Sequence, residues 1–299
     1  MDRKLAFCFL IYDTLNHTDL WEAFFTQAPP SLYRIHIHYK THQPLEYFEG
    51  YRIKDCVPTQ YAHVSLVKAQ NRLMEEALKD PTVSHVIFVS NSCVPFKRFD
   101  QVYHHLVPRR SYFNVTPQSQ CFPRCTPTLQ WVQEAHIQKS SQWCILAAPH
   151  AQQLLQDRSY LTWFDYEGGV PDEHCYITFM HVNGLQDELI TTPNLAEGAT
   201  TFTNWEGMNY RFPNHWGIKN YLRISEEETS HLIESPCLFG RKFDPHCDLQ
   251  SLLQFHRTEF YKEVKSAAVP KKEITMWINL VFFFGIILIF VLIYFMFRR

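Results

Sequence analysis

The chain has 299 residues, enough for one large or two small domains around a buried core. Its formal net charge of −2 offers no basic face for nucleic acid, and its 9 glycines form neither a Walker A sequence nor GxGxxG, which argues against a P-loop or dinucleotide fold. Aromatic residues make up 15% of the chain, a share that suits stacking on ring-shaped ligands and equally suits core filling.

Leu5–Ile11 is a continuous apolar run, the pattern of a strand buried on both faces. Tyr12-Asp13 follow it with no small-residue cleavage site, so it reads as a strand and not as a signal peptide. Leu20–Phe25 reads as a helix that ends before Ala28-Pro29-Pro30, and Tyr33–Tyr39 alternates as a second strand. Ser65–Lys79 has helical apolar spacing and stops at Asp80-Pro81; His85–Ser90 is a third strand. Strand–helix–strand order of this kind predicts an α/β domain with a mainly parallel central sheet. In such sheets ligands bind beyond the carboxyl ends of the strands, which places Tyr12-Asp13-Thr14 and Ser90-Asn91-Ser92-Cys93 beside a site. Residues from Arg109 to Thr128 read as loop, Gln142–Ala148 as a further strand, and 161–225 as loops closing over the site.

Residues 274–297 carry no charge over 24 positions, about 36 Å of helix and enough to cross a hydrocarbon core of about 30 Å. Trp277 and Tyr294 stand near its ends, where interfacial anchors sit. The organisation expected is therefore a catalytic domain over 1–265, a linker over 266–273 and a transmembrane helix over 274–297. Lys262, Lys265, Lys271 and Lys272 precede the span against two arginines after it, so the globular part is expected on the cytosolic side, with luminal placement as the alternative. The nine scattered cysteines fit reduced thiols better than a disulfide framework, and the Cys121/Cys125 pair lacks the second pair a zinc site needs.

Two segments carry the chemistry: Pro171-Asp172-Glu173-His174, and Cys237 to Asp244 with Arg241-Lys242 at its centre. A carboxylate and a cationic pair suit transfer of a sugar from a nucleotide to an alcohol. The carboxylate takes the acceptor proton, and positive charge steadies the departing diphosphate. Taken alone, Asp172-Glu173 is equally an ordinary helix start and Arg241-Lys242 a solvated edge. His36, His38 and His63 read as hydrogen-bonded core or pocket histidines, and Ser90 and Ser92 lack the partners of a hydrolase triad. No Asp-x-Asp is present; Asp165-Tyr166-Glu167 comes nearest.

Taken in order, several segments resemble the core-2/I-branching β-1,6-N-acetylglucosaminyltransferase family, which includes peptide O-xylosyltransferase-like relatives. They are Lys4–Leu10, Ile35–His38, Val64–Ala69, Ser90–Pro95, Lys139–Trp143, Pro171–His174, Trp205-Glu206-Gly207 and Leu238–Asp244. The resemblance implies a GT-A-like fold and an inverting, metal-independent transferase with no cofactor. The donor would be a UDP-sugar, N-acetylglucosamine first and xylose second, and the acceptor a hydroxyl of a glycan or glycoprotein. It places Glu173 as catalytic base and Lys242 as a diphosphate ligand. The family's second cation lies about twenty-three residues earlier, at Lys219, with Arg223 and Arg211 nearby; Arg241 joins them as a UDP-binding candidate. Trp205, Asp172 and Ser92 are the acceptor-side candidates. Two features depart from the family: Tyr39 follows His38 where relatives often have Val-Asp, and the anchor stands at the C-terminal end. A non-catalytic, membrane-tethered carbohydrate- or protein-binding relative is the alternative.

Overall fold

The computed structural model describes residues 3–118, 124–193, 195–205 and 217–266, with 259–266 as backbone only. In chain order the strands are β1 (Lys4–Ile11), β2 (Tyr33–Tyr39), β3 (Val83–Ser90), β4 (Val94–Pro95), β5 (Ser111–Thr116), β6 (Lys139–Ser140), β7 (Ile145–Ala147), β8 (Leu189–Thr192), β9 (Thr201–Thr203) and β10 (Phe239–Arg241). The α-helices are α1 (Thr18–Phe25), α2 (Val64–Ala77), α3 (Phe99–His105), α4 (Ala148–Gln156), α5 (Tyr160–Trp163), α6 (Pro171–Val182), α7 (Glu226–Glu234) and α8 (Gln250–Ser266). The chain divides into two units, Met1–His256 and Arg257–Arg299, and every described residue of the site lies in the first.

The large sheet runs β2-β1-β3-β7-β5-β6, with β8 on the far side of β5. β1 is parallel to both β2 and β3, as the strand–helix–strand order predicts. Side chains alternate across β1. Leu5, Phe7, Phe9 and Ile11 meet the aromatic helix α1, and the smaller Ala6 and Cys8 leave room for α2. Both faces are therefore covered, which is why the run reads apolar throughout.

Beyond β3 the sheet corrects the expectation of a mainly parallel arrangement. β7 is antiparallel to β3 and to β5, and β6 is antiparallel to β5, so the sheet is mixed. Ser111–Thr116, inside the stretch read as loop, is the strand that organises this half. The strand expected over Gln142–Ala148 is only Ile145–Ala147. Tyr112 pairs with Ile145 and Val115 with Ser140, so five steps along one strand oppose three along the other. The two extra residues bulge the chain at Ser141–Cys144, a device that re-aims side chains beside active sites. A second, three-stranded sheet, β4-β10-β9, carries Phe239–Arg241 between its neighbours.

The segment 161–225, read as loops, contains α5, α6, β8 and β9. Helix α6 shows no apolar stripe because it is buried from His174 through Met180 on every side. Among the described residues no helix is long and apolar enough to cross a membrane, and the apolar run 274–297 lies outside them.

Candidate active site

Glu173 owes its position to the way α6 begins. Pro171 opens the helix, and Asp172 and Glu173 occupy its first turn, where backbone N–H groups point at negative charge. The approach is tight: Val170 adopts φ 44°, and a Cβ on Gly169 would stand 2.3 Å from the Phe164 carbonyl oxygen. Those two residues fix the direction in which the helix starts. His174 locks the next position, with Nδ1 2.7 Å from the Gln138 carbonyl and its ring stacked on Phe164 at 5.0 Å.

The Glu173 carboxylate opens into a cleft of about 530 Å³ walled by Lys139, Trp143, Thr203, Trp205 and Arg241. Lys139 Nζ lies 3.1 Å from Glu173 Oε2, an ion pair with both side chains about three-quarters covered. Arg241 reaches the cleft from the end of β10, where it pairs with Thr203, and its guanidinium lies 5.0 Å from the Trp143 ring. Burial disfavours the charged form of Arg241, while Cys93 and the carboxylates of Glu173 and Asp172 favour it. Arg241 Nε, Trp143 Nε1 and Thr201 Oγ1 are buried and make no hydrogen bond among the described residues. Beside Glu173, the Asp172 carboxyl is pushed up to about 7 by burial and by Glu173, and its Oδ1 is likewise without a partner. These four atoms, at or beside the cleft, are groups a polar ligand there could satisfy.

A second zone sits at the carboxyl ends of β1 and β3. The Phe243 N–H donates to the Ser92 carbonyl at 3.1 Å, and Asn16 Nδ2 donates to the Phe243 carbonyl at 3.0 Å. Lys242 is thereby tied to this edge, half-buried; burial and the neighbouring Arg241 cation disfavour its ammonium form.

The profile of the core-2/I-branching enzyme family matches residues 5–233. The chain belongs to that family. Its members are glycosyltransferases, and this chain is one by membership. It is 25% identical over 306 residues to the glycosyltransferase BC10 of Oryza sativa subsp. japonica, a match covering 83% of this chain and 76% of that protein. Among solved structures it is similar to galactosyltransferase LgtC in complex with donor and acceptor sugar analogs, with a TM-score of 0.43, 8% identity and coverage of 79% of this chain and 86% of that one. An active-site mutant of LgtC gives a TM-score of 0.42 at the same identity and coverage.

The core-2/I-branching candidates divide by place. Glu173, Arg241 and Trp205 line one cleft, with Asp172 beside Glu173. Ser92 and Lys242 stand at the β3 edge; neither lines that cleft. Lys219 does not line it either: its ammonium lies 4.2 Å over the Tyr221 ring and 3.4 Å from Glu228. Arg223 is exposed, and Arg211 lies outside the described residues. Asp165 and Glu167 are exposed, with Asp165 Oδ1 3.9 Å from His63 Nε2. No group of three or more His, Cys, Asp or Glu among the described residues is arranged to hold a metal. The eight described cysteines are free, and Cys121 lies outside the described residues.

Lys139 and Trp143 are site residues with no role in the sequence reading. Their signal was the stretch Lys139-Ser140-Ser141-Gln142-Trp143, in which a cation and a large ring flank small polar residues. Only the bulge between β6 and β7 shows why both side chains face the cleft.

Proposed function

We propose that this chain is an inverting, metal-independent glycosyltransferase with a GT-A-like fold. It moves a sugar from a UDP-sugar to a hydroxyl of a glycan or glycoprotein; N-acetylglucosamine is the donor sugar the family favours, with xylose second. The observation that carries the reading is the convergence of Glu173, Lys139 and Arg241 on one aromatic-walled cleft. Inversion needs a carboxylate that takes the acceptor proton as the hydroxyl attacks, and Glu173 has an open side on the cleft for it. The Lys139 ammonium holds that carboxylate in place. Trp205, half exposed, offers a flat face to the apolar side of a sugar ring, while the buried Trp143 ring backs the Arg241 guanidinium.

The departing diphosphate needs positive charge. Arg241 supplies it from within the cleft, and Lys242 from the carboxyl edge of β1 and β3, where nucleotides bind in open α/β sheets. Lys219, engaged by Glu228, and Arg223 are outer candidates for the same role, and Ser92 and Asp172 for acceptor contact. The apolar run 274–297 holds the protein to a membrane.

UDP release across a panel of UDP-sugars and glycan acceptors tests the mechanism. Glu173→Gln should lower turnover at least about 100-fold, the range of general-base catalysis, while UDP binding changes less than twofold. EDTA should leave the rate unchanged. Full turnover by the Glu173→Gln protein, or loss of wild-type turnover in EDTA, removes the mechanism.

A further inference from the structure

Trp205 has two sides, and only one of them belongs to the reaction cleft. A separate pocket of about 560 Å³ shares Thr203 and Trp205 with that cleft and is closed on its other side by Leu195 and the face of α7 that carries Glu227 and His231. Its volume is that of a ligand site, and Trp205 remains 50% exposed. Not every polar group in it is available. Glu228 accepts from Ser225 N–H and Oγ at 3.0 and 3.1 Å and pairs with Lys219, so its charge is compensated. The Tyr221 ring is covered by Phe243, stacked at 5.0 Å, and by the Lys219 ammonium.

What remains is Glu227 and His231, four residues apart on one helical face, whose side chains make no hydrogen bond or ion pair among the described residues. They stand across the pocket from the exposed indole of Trp205. A carboxylate accepts from neighbouring hydroxyls, an imidazole both donates and accepts, and an indole covers the apolar face of a ring. With Glu228 already engaged by Lys219, the groups left for a ligand are a carboxylate acceptor, an imidazole and an indole face, a set that suits the hydroxyls and the apolar face of a sugar ring.

We propose that this pocket is a second carbohydrate subsite, which takes a sugar ring of the acceptor removed from the hydroxyl that reacts. The acceptor is then an oligosaccharide that bends over Trp205, with its reacting ring beside Glu173 and a further ring against Glu227 and His231. The inference deepens the transferase reading and rests on it for the identity of the acceptor, but the subsite itself rests on the pocket.

Glycan-array binding by the detergent-solubilised full chain tests it, using lactose, chitobiose, their trisaccharide extensions and the matching methyl monosaccharides. The wild type should bind at least one two- or three-ring glycan at least fivefold more tightly than its component monosaccharides. Glu227→Ala/His231→Ala should erase that difference and leave monosaccharide binding unchanged; Ser225 and Glu228 stay, so the helix cap is kept. Equal affinities of wild type and variant for every glycan, or no binding of any multi-ring glycan, would overturn the subsite. UDP release with the same glycans is read separately. Binding without release at any UDP-sugar sinks the transferase reading and leaves the subsite standing.

Discussion

Asp172 carries an electrostatic cost in the folded protein. In the unfolded chain its carboxyl ionises near 3.8, and in the fold near 7, because burial and the Glu173 carboxylate both oppose its charge. Below about pH 4 the carboxyl is protonated in both states and the cost vanishes. As pH rises toward 7 the unfolded chain gives up a proton that the native protein retains, so the cost grows and is complete above about pH 7. Asp172→Asn removes it and should stabilise the protein at pH 8 by up to about 4 kcal/mol, with little gain at pH 3.5. Thermal unfolding of both proteins at the two pH values measures this, and an equal shift at both would show that Asp172 is not held protonated. A neutral Asp172 also keeps a second negative charge away from Glu173, whose own ion pair with Lys139 then faces the cleft.

At the scale of elements, the parts legible in the sequence are those whose burial is simple. β1 and β3 show mainly apolar runs, β2 a two-residue alternation and α2 clean helical spacing, and their boundaries lie within two residues of expectation. The parts that escaped are those in which tertiary contact replaces local pattern. β7 is three residues long, β5 has only Tyr112, Phe113 and Val115 apolar among its six residues, and α6 is buried all round and has no stripe to detect. The same holds for the site. Glu173 and Arg241 were readable as chemistry, but the count of residues that singled out Lys219 could not show its contacts with Glu228 and Tyr221. β10 offers a test of how far an element positions the site. A Cβ on Gly240 would stand 2.0 Å from the ring of Phe96, itself buried, so Gly240→Ala must move that ring or the strand that carries Arg241. Overpacking of this kind costs about 1–3 kcal/mol. Urea unfolding should show that loss together with at least a tenfold fall in UDP release. Gly50→Ala, with nothing within 4 Å, serves as the control and should change neither. A Gly240→Ala protein as active as the wild type would mean that β10 does not set the Arg241 position.

For the whole molecule the open relation is between the catalytic unit and a bilayer. The argument for attachment is hydropathic. Residues 274–297 hold 24 consecutive uncharged side chains, and each Lys placed at the centre of such a span costs about 2.5–3.5 kcal/mol on insertion. The full chain, expressed in cells with internal membranes, should therefore stay in the membrane pellet after alkaline carbonate extraction. Ile286→Lys/Ile289→Lys puts two charges in mid-span and should move the protein to the supernatant with UDP release intact, because neither residue belongs to Met1–His256. The proposed orientation, from four lysines before the span against two arginines after it, has the catalytic unit toward the cytosol. Trypsin added outside sealed microsomes should then destroy transferase activity without detergent. Activity protected until detergent is added would place the unit in the lumen, and wild-type protein released by carbonate would end the anchor reading altogether.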